Sequence, residues 1–225
     1  MTFTVRLLSG LTAIALLASS AIATGDIDGR VALDQKAAER AMLDFAKCVV
    51  SSKKREAKAL EFLKIPDGDP MQEKLGKAIS VSGCAMPGSQ MRFSGDLFSR
   101  AIYTALYGKY YQKTEPENLV FETIDNYQSE FVTTGTPLQP SQIAFRTFAD
   151  CTVKSDAAAA HRFALSDIKS KAEIAALPLV MEAMQNCLSQ GSQLRFSRTV
   201  LKGLVAESLY KARQKQALAK AGEAK

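Results

Sequence analysis

Four cysteines and two arginine-bearing boxes are the side chains whose spacing carries chemistry. Cys48 and Cys84 stand 36 positions apart, Cys151 and Cys187 likewise, and one constant offset of 103 relates the two pairs. The same gapless shift lays Gly88-Ser89-Gln90-Met91-Arg92-Phe93-Ser94 on Gly191-Ser192-Gln193-Leu194-Arg195-Phe196-Ser197. A guanidinium is a planar donor fork. Arg92 and Arg195, flanked by Gln90 and Gln193, would therefore grip a carboxylate, phosphate or sulfate at the start of the helix that follows. The same box also has a simpler structural role. Its glycine ends one helix, its serine caps the next, its phenylalanine fills the core, and its glutamine and arginine satisfy loop carbonyls.

Tyr103, Tyr107, Tyr110 and Tyr111 form a second constellation at helical spacing. Only Tyr107 has an aromatic counterpart, Tyr210, so Tyr103, Tyr110 and Tyr111 are the aromatic candidates for meeting the other half of the chain or a partner. Signals for catalysis are sparse. His161 is the single histidine, expected to be surface or half-buried. There is no G-x-S-x-G elbow, no H-E-x-x-H and no phosphate-binding glycine loop. A carboxylate pair for glycosidic cleavage would come from distant loops, and nothing in the sequence singles one out. No catalytic residue, metal site or cofactor is assigned.

In an exported chain, four cysteines read as disulfides. No C-x-x-C occurs, and zinc would need all four thiolates to converge. Three connectivities are open in principle. The repeat favours Cys48–Cys84 and Cys151–Cys187, since each copy then closes its own staple. Export itself is read from the start of the chain. Arg6, the apolar run 7–17 and Ala21-Ile22-Ala23 resemble a cleavable signal, so residues 1–23 are excluded from the fold argument. The expected location is the periplasm or the exterior, with no membrane span after removal of the leader.

The remaining 202 residues carry a net charge of +5 once Arg6 is removed from the +6 total. The charge is segregated. Residues 112–140 hold five acids against one base, and residues 211–225 hold five bases against one acid. The basic end is expected to be a frayed, solubilising helix end, with an anionic envelope component or envelope protein as the alternative partner. Nucleic acid is not expected, because no dense basic stripe occurs.

Positioning these residues falls to helices. From 41 to 107, 17 of 67 positions are identical at the 103 offset. The organisation expected is a leader 1–23, a helical lead-in 24–40, repeat 41–111, an acidic connector 112–140, repeat 141–211 and a basic tail 212–225. Within a repeat, the first cysteine lies on helix one. A short helix follows at about 54–63, and a third opens at Asp69-Pro70, an acid cap before a first-turn proline. Ser94 caps a fourth helix with Leu97, Phe98, Ala101, Ile102, Ala105 and Leu106 on one stripe. A short helix is expected within the connector at about 122–131. In the second copy Pro178 is expected to kink the third helix or delay its start to about Leu177. The fold class is all-α: an internal duplication of a roughly four-helix unit with one disulfide per copy.

Phe45 to Val49, Cys84 to Gly88, Met91-Arg92-Phe93 and Leu106-Tyr107 follow a pattern of aromatic-x-x-Cys-Val, Cys-x-x-x-Gly, Leu-Arg-Phe and Leu-Tyr. Phe148 to Cys151, Cys187 to Gly191, Leu194-Arg195-Phe196 and Leu209-Tyr210 repeat it, with Thr152 in the place of the valine. In this the chain resembles uncharacterised exported paired-cysteine repeat proteins of alphaproteobacteria. The resemblance implies export and duplication and lends no activity or catalytic residue. The function expected is a non-catalytic periplasmic module that binds or scaffolds an envelope component. The alternatives are a cell-wall glycan hydrolase with its site between the repeats, and a small-anion binder using the paired arginines.

Overall fold

The computed structural model describes residues 2–4, 35–80, 83–84, 94–131, 135–188 and 195–223. Among these the chain is all-α. Four helices precede the connector: α1 (Gln35–Ser51), α2 (Lys53–Leu63), α3 (Pro70–Ser80) and α4 (Gly95–Tyr111). The connector holds a 3-10 helix at Ile124–Glu130. Four more follow: α5 (Pro140–Ser155), α6 (Ala157–Leu165), α7 (Lys171–Gln185) and α8 (Arg198–Glu223). The strands β1 (Thr2–Thr4) and β2 (Arg195–Ser197) form one short antiparallel ladder, so three residues of the expected leader are backbone-paired.

The helix starts follow local chemistry. Ser94 Oγ accepts from the backbone N–H of Leu97 at 3.4 Å, and Ser197 Oγ accepts from that of Val200 at 3.2 Å. These are the same two positions of the 103-residue offset. Asp69 Oδ1 accepts from the N–H of Met71 at 2.8 Å, ahead of Pro70, whose missing donor costs nothing in the first turn. Pro178 does not delay the start of its helix. It lies inside an unbroken α7 that starts from the Ser170 cap. Its ring is on the exposed face, beside Ile174, where water can take the carbonyl that loses its partner.

Both disulfides close within their own half. Cys48–Cys84 and Cys151–Cys187 each have Cα atoms 5.7 Å apart, and each ties the first helix of its half to the segment after the third. Such staples limit the unfolded chain by about 4 kcal/mol each in the chain-entropy model.

At the centre α4 packs on α8, while α1 flanks α4 and α5 flanks α8. Contacts climb both central helices in the same sense. Arg100 meets Glu207, the Tyr103 and Tyr210 rings are 6.0 Å apart, and Gln214 Nε2 donates to the Tyr111 hydroxyl at 3.0 Å. The two helices therefore run parallel. Gly203 permits their closest approach, since a Cβ there would stand 2.2 Å from Arg100 Cβ and 2.9 Å from its Cα. Arg100 with Gly203 and Tyr111 with Gln214 are both pairs separated by 103, so residues at matching positions touch across the seam.

Residues 211–216 are not a frayed tail. α8 continues to Glu223, and Ala212, Arg213 and Gln216 are buried. The acidic connector explains this. Lys215 pairs with Glu122, Lys211 with Glu130 at 2.8 Å, Arg213 donates to the carbonyls of Thr114 and Glu115, and Gln216 to that of Glu117. The two segregated charge blocks of the sequence meet each other within the chain.

Candidate functional site

A polar cluster drawn from four elements lies on the α4–α8 seam beneath the connector. Arg100 projects from the apolar stripe of α4, where Phe98, Ala101 and Ile102 are buried around it. It pairs with Glu207 of α8, and with Asp96 one turn earlier at 3.1 Å. Glu207 also holds Lys211 at 2.6 Å, and Lys211 reaches Glu130 in the 3-10 helix. Glu130 takes both guanidinium ends of Arg146 from α5. Arg146 lies over the Tyr127 ring, 4.2 Å from its centroid, and the Tyr127 hydroxyl donates to Asp150 at 2.8 Å. Ser208 supplies a second donor to Asp150 at 2.5 Å. Arginine, lysine and carboxylate so far from water are tolerated because each charge has a partner.

Titration follows from these contacts. Burial drives the Tyr127 hydroxyl up to about 12, reinforced by the Asp150 charge. Burial alone would raise the Glu130 carboxyl, but Arg146 and Lys211 outweigh it and hold it below the ordinary range. Asp96 moves the other way. Burial raises it against the pull of Arg100, and nearby Asp67 adds to the rise.

Two openings adjoin the cluster. One is a cavity of about 40 Å³ walled by Arg100, Arg146, Tyr127, Gln142, Asp67 and Glu207, among others. The other is a groove of about 500 Å³ between the end of α2 and the outer side of α8, with Phe121 and Phe131 of the connector along it. Leu63, Tyr103, Phe131 and Arg146 line both. The groove is mostly apolar, from Leu60 and Leu63 on α2 to Tyr210 and Leu218 on α8, and Leu218 is 73% exposed at its rim. On the opposite side of the seam α6 packs on both α4 and α8. There Tyr107 and His161 meet in the core, Oη to Nδ1 at 2.6 Å.

The residues singled out in the sequence divide accordingly. Gln90, Arg92 and Gln193 lie outside the described residues. Arg195 contributes backbone to β2, and its side chain is likewise outside them. Tyr103 is core: it is buried against Tyr210, and Lys211 Nζ stands 5.2 Å from its ring centroid. Tyr111 packs on Tyr210 at 6.1 Å and accepts from Gln214, so it meets the other half of the chain. Tyr110 is half-exposed, with its hydroxyl tied to Glu56, a buried carboxylate also held by Lys109 at 2.6 Å. His161 is not a surface histidine; it is only 5% exposed. Burial lowers its pKa, as do Arg213 and Arg162, while Glu115 opposes them.

Sequence reasoning passed over Arg100, Arg146, Glu130, Glu207 and Lys211. The available signal was a charge on an apolar stripe: Arg100 falls among the helix-four residues that were read as core. Its partners come from three other elements, so no local spacing announces them. No family model matches the chain, and comparison with curated proteins and with solved structures finds no similar one.

Proposed function

We propose that the chain is an exported, non-catalytic binding module, built by duplication of a disulfide-stapled four-helix unit. It holds an envelope component in the groove between α2, the connector and α8. The groove is the observation that carries this reading. Its volume of about 500 Å³ falls in the range of roughly 300–1,000 Å³ common to small-ligand sites, and its apolar wall ends on a paired-charge cluster. The intrachain disulfides favour an oxidising compartment. Among the described residues no helix is long and apolar enough to cross a membrane. Contacts between positions 103 apart favour a pseudo-two-fold arrangement of the copies over a tandem one.

Acid–base chemistry has less support. The carboxylates lining the two openings are already engaged: Asp67 by Gln72, Glu207 by Arg100, Glu130 by Arg146, Asp150 by Tyr127 and Glu122 by Lys215. The hydrolase reading keeps one foothold, the raised Asp96 carboxyl beside Asp67. Native mass spectrometry of non-reduced protein recovered from its own envelope tests the proposal. A component bound at fixed stoichiometry and lost from Leu218→Glu is expected. A chain that carries nothing, or keeps its component in that variant, would contradict it. Glycan cleavage abolished by Asp96→Asn would move the assignment to the hydrolase.

A further inference from the structure

No residue of α7 lines the cavity or the groove, and the outer face of this helix has a pattern of its own. Ile174, Ala175, Pro178 and Leu179 lie exposed on one stripe, Ile174 to 59% and Leu179 to 41%. A surface helix ordinarily turns polar residues outward. Single exposed apolar side chains are common, whereas a contiguous run of them marks a contact surface. The fold does not demand such a face. α3, the corresponding helix of the other half, exposes Glu73, Lys74 and Lys77, with Glu73 and Lys77 paired at 2.6 Å.

Two exposed charges bound the α7 stripe, Lys171 and Glu182, and neither has an ion-pair partner among the described residues. Both oppose the dipole of their own helix. Lys171 is the first residue of α7 and Glu182 stands in its last turn, where the dipole favours an acid at the start and a base at the end. Against an antiparallel copy of the same helix both placements become favourable. A two-fold axis midway between Ala176 and Leu177 sets Lys171 against Glu182 of the second copy. The same axis sets Ile174 against Leu179 and Ala175 against Pro178. Large apolar side chains then meet on either side of a compact centre, and each charge faces the opposite charge and the opposite end of a helix dipole. This is the self-complementarity that a two-fold interface requires.

We infer that the outer face of α7 is the interface of a symmetric homodimer, in which two copies of the chain dock antiparallel through this helix. The groove stays open in the dimer, so the inference stands apart from what the groove holds. One helix face is smaller than a standard interface of about 1,600 Å², so the association is weak and reversible.

Sedimentation velocity on the disulfide-intact protein, from about 1 μM to about 0.5 mM, tests it over a span that brackets weak association. A reversible monomer–dimer equilibrium is expected. Lys171→Glu and Glu182→Lys each turn both end contacts from attraction to repulsion, and each should weaken the dimer about tenfold. Both changes suit the α7 dipole, so neither should lower helicity or stability. An equimolar mixture of the two variants puts opposite charges together again at both ends. It should associate to within about twofold of the parent. A parent that stays monomeric across the range would overturn the inference. So would a dimer indifferent to both single changes, or a mixture no tighter than either variant alone.

Discussion

Gly203→Ala sets local propensity against tertiary packing with opposite signs. In a helix interior alanine is preferred to glycine by about 1 kcal/mol, so α8 taken alone should gain from the change. The seam says otherwise. The new methyl would be built 2.2 Å from Arg100 Cβ and 2.9 Å from Arg100 Cα, where carbon atoms rest at about 3.5–4.0 Å. The obstruction includes backbone, so rotating a side chain cannot relieve it, and α4 and α8 must separate by more than about 1 Å. Overpacking of this kind costs typically 1–3 kcal/mol, and separation also stretches the buried Arg100–Glu207 pair. After subtracting the propensity gain and allowing for the stretched ion pair, a net loss of about 1–2 kcal/mol is expected, or roughly 2–8 °C in Tm at this chain length. Gly108→Ala on α4 is the control, since its Cβ would meet only Leu165 Cδ2, at 4.0 Å. That variant should gain up to about 1 kcal/mol. Urea unfolding followed by circular dichroism, with both disulfides intact, reads both. A Gly203→Ala variant as stable as the parent would refute the close-seam account.

Three further outcomes follow from the same contacts. His161 has its pKa lowered in the fold, so below about 6.5 the unfolded chain binds the extra proton and stability falls with pH. The slope approaches about 1.4 kcal/mol per pH unit at most; unfolding midpoints between pH 7 and 5.5 should fall in the parent and flatten in His161→Phe. Glu173 is fully buried and holds Lys202 at 2.6 Å, so Glu173→Ala should cost about 3–5 kcal/mol by leaving a buried ammonium without its carboxylate. The double change Glu173→Leu with Lys202→Met should recover most of that loss in thermal melts, and a loss equal to the single variant's would count against the pairing argument. Replacing Cys151 and Cys187 together by serine should lower stability by about 3–4 kcal/mol, read as a lower urea midpoint. An unchanged midpoint would show that the staple does not limit the unfolded chain.

Much of the helical frame was legible. The Ser94 cap, the Asp69-Pro70 start and the pairing of each cysteine within its half depend on neighbours or on one repeated spacing, and the structure has all three. Of the two outcomes expected at Pro178, the delayed start is absent, because the Ser170 cap opens α7 ahead of it and the proline lies on an exposed face. The basic end misled because of distance in sequence. Its partners, Glu122 and Glu130, lie about 80–90 residues away in sequence, and a charge block read alone looks solvated. The site was hidden most deeply. Arg100, Glu130, Arg146 and Glu207 are ordinary charges on four separate elements, and only the parallel packing of α4 on α8 under the connector brings them together.

The central claim is that something occupies the groove beside α8. A photo-crosslinking residue placed at Leu218 in living cells, with the exposed Ile174 of α7 as reference site, reports directly on it. The account predicts an adduct of one reproducible mass at 218 that is absent at 174. No adduct at 218, or the same mixture at both positions, would contradict it.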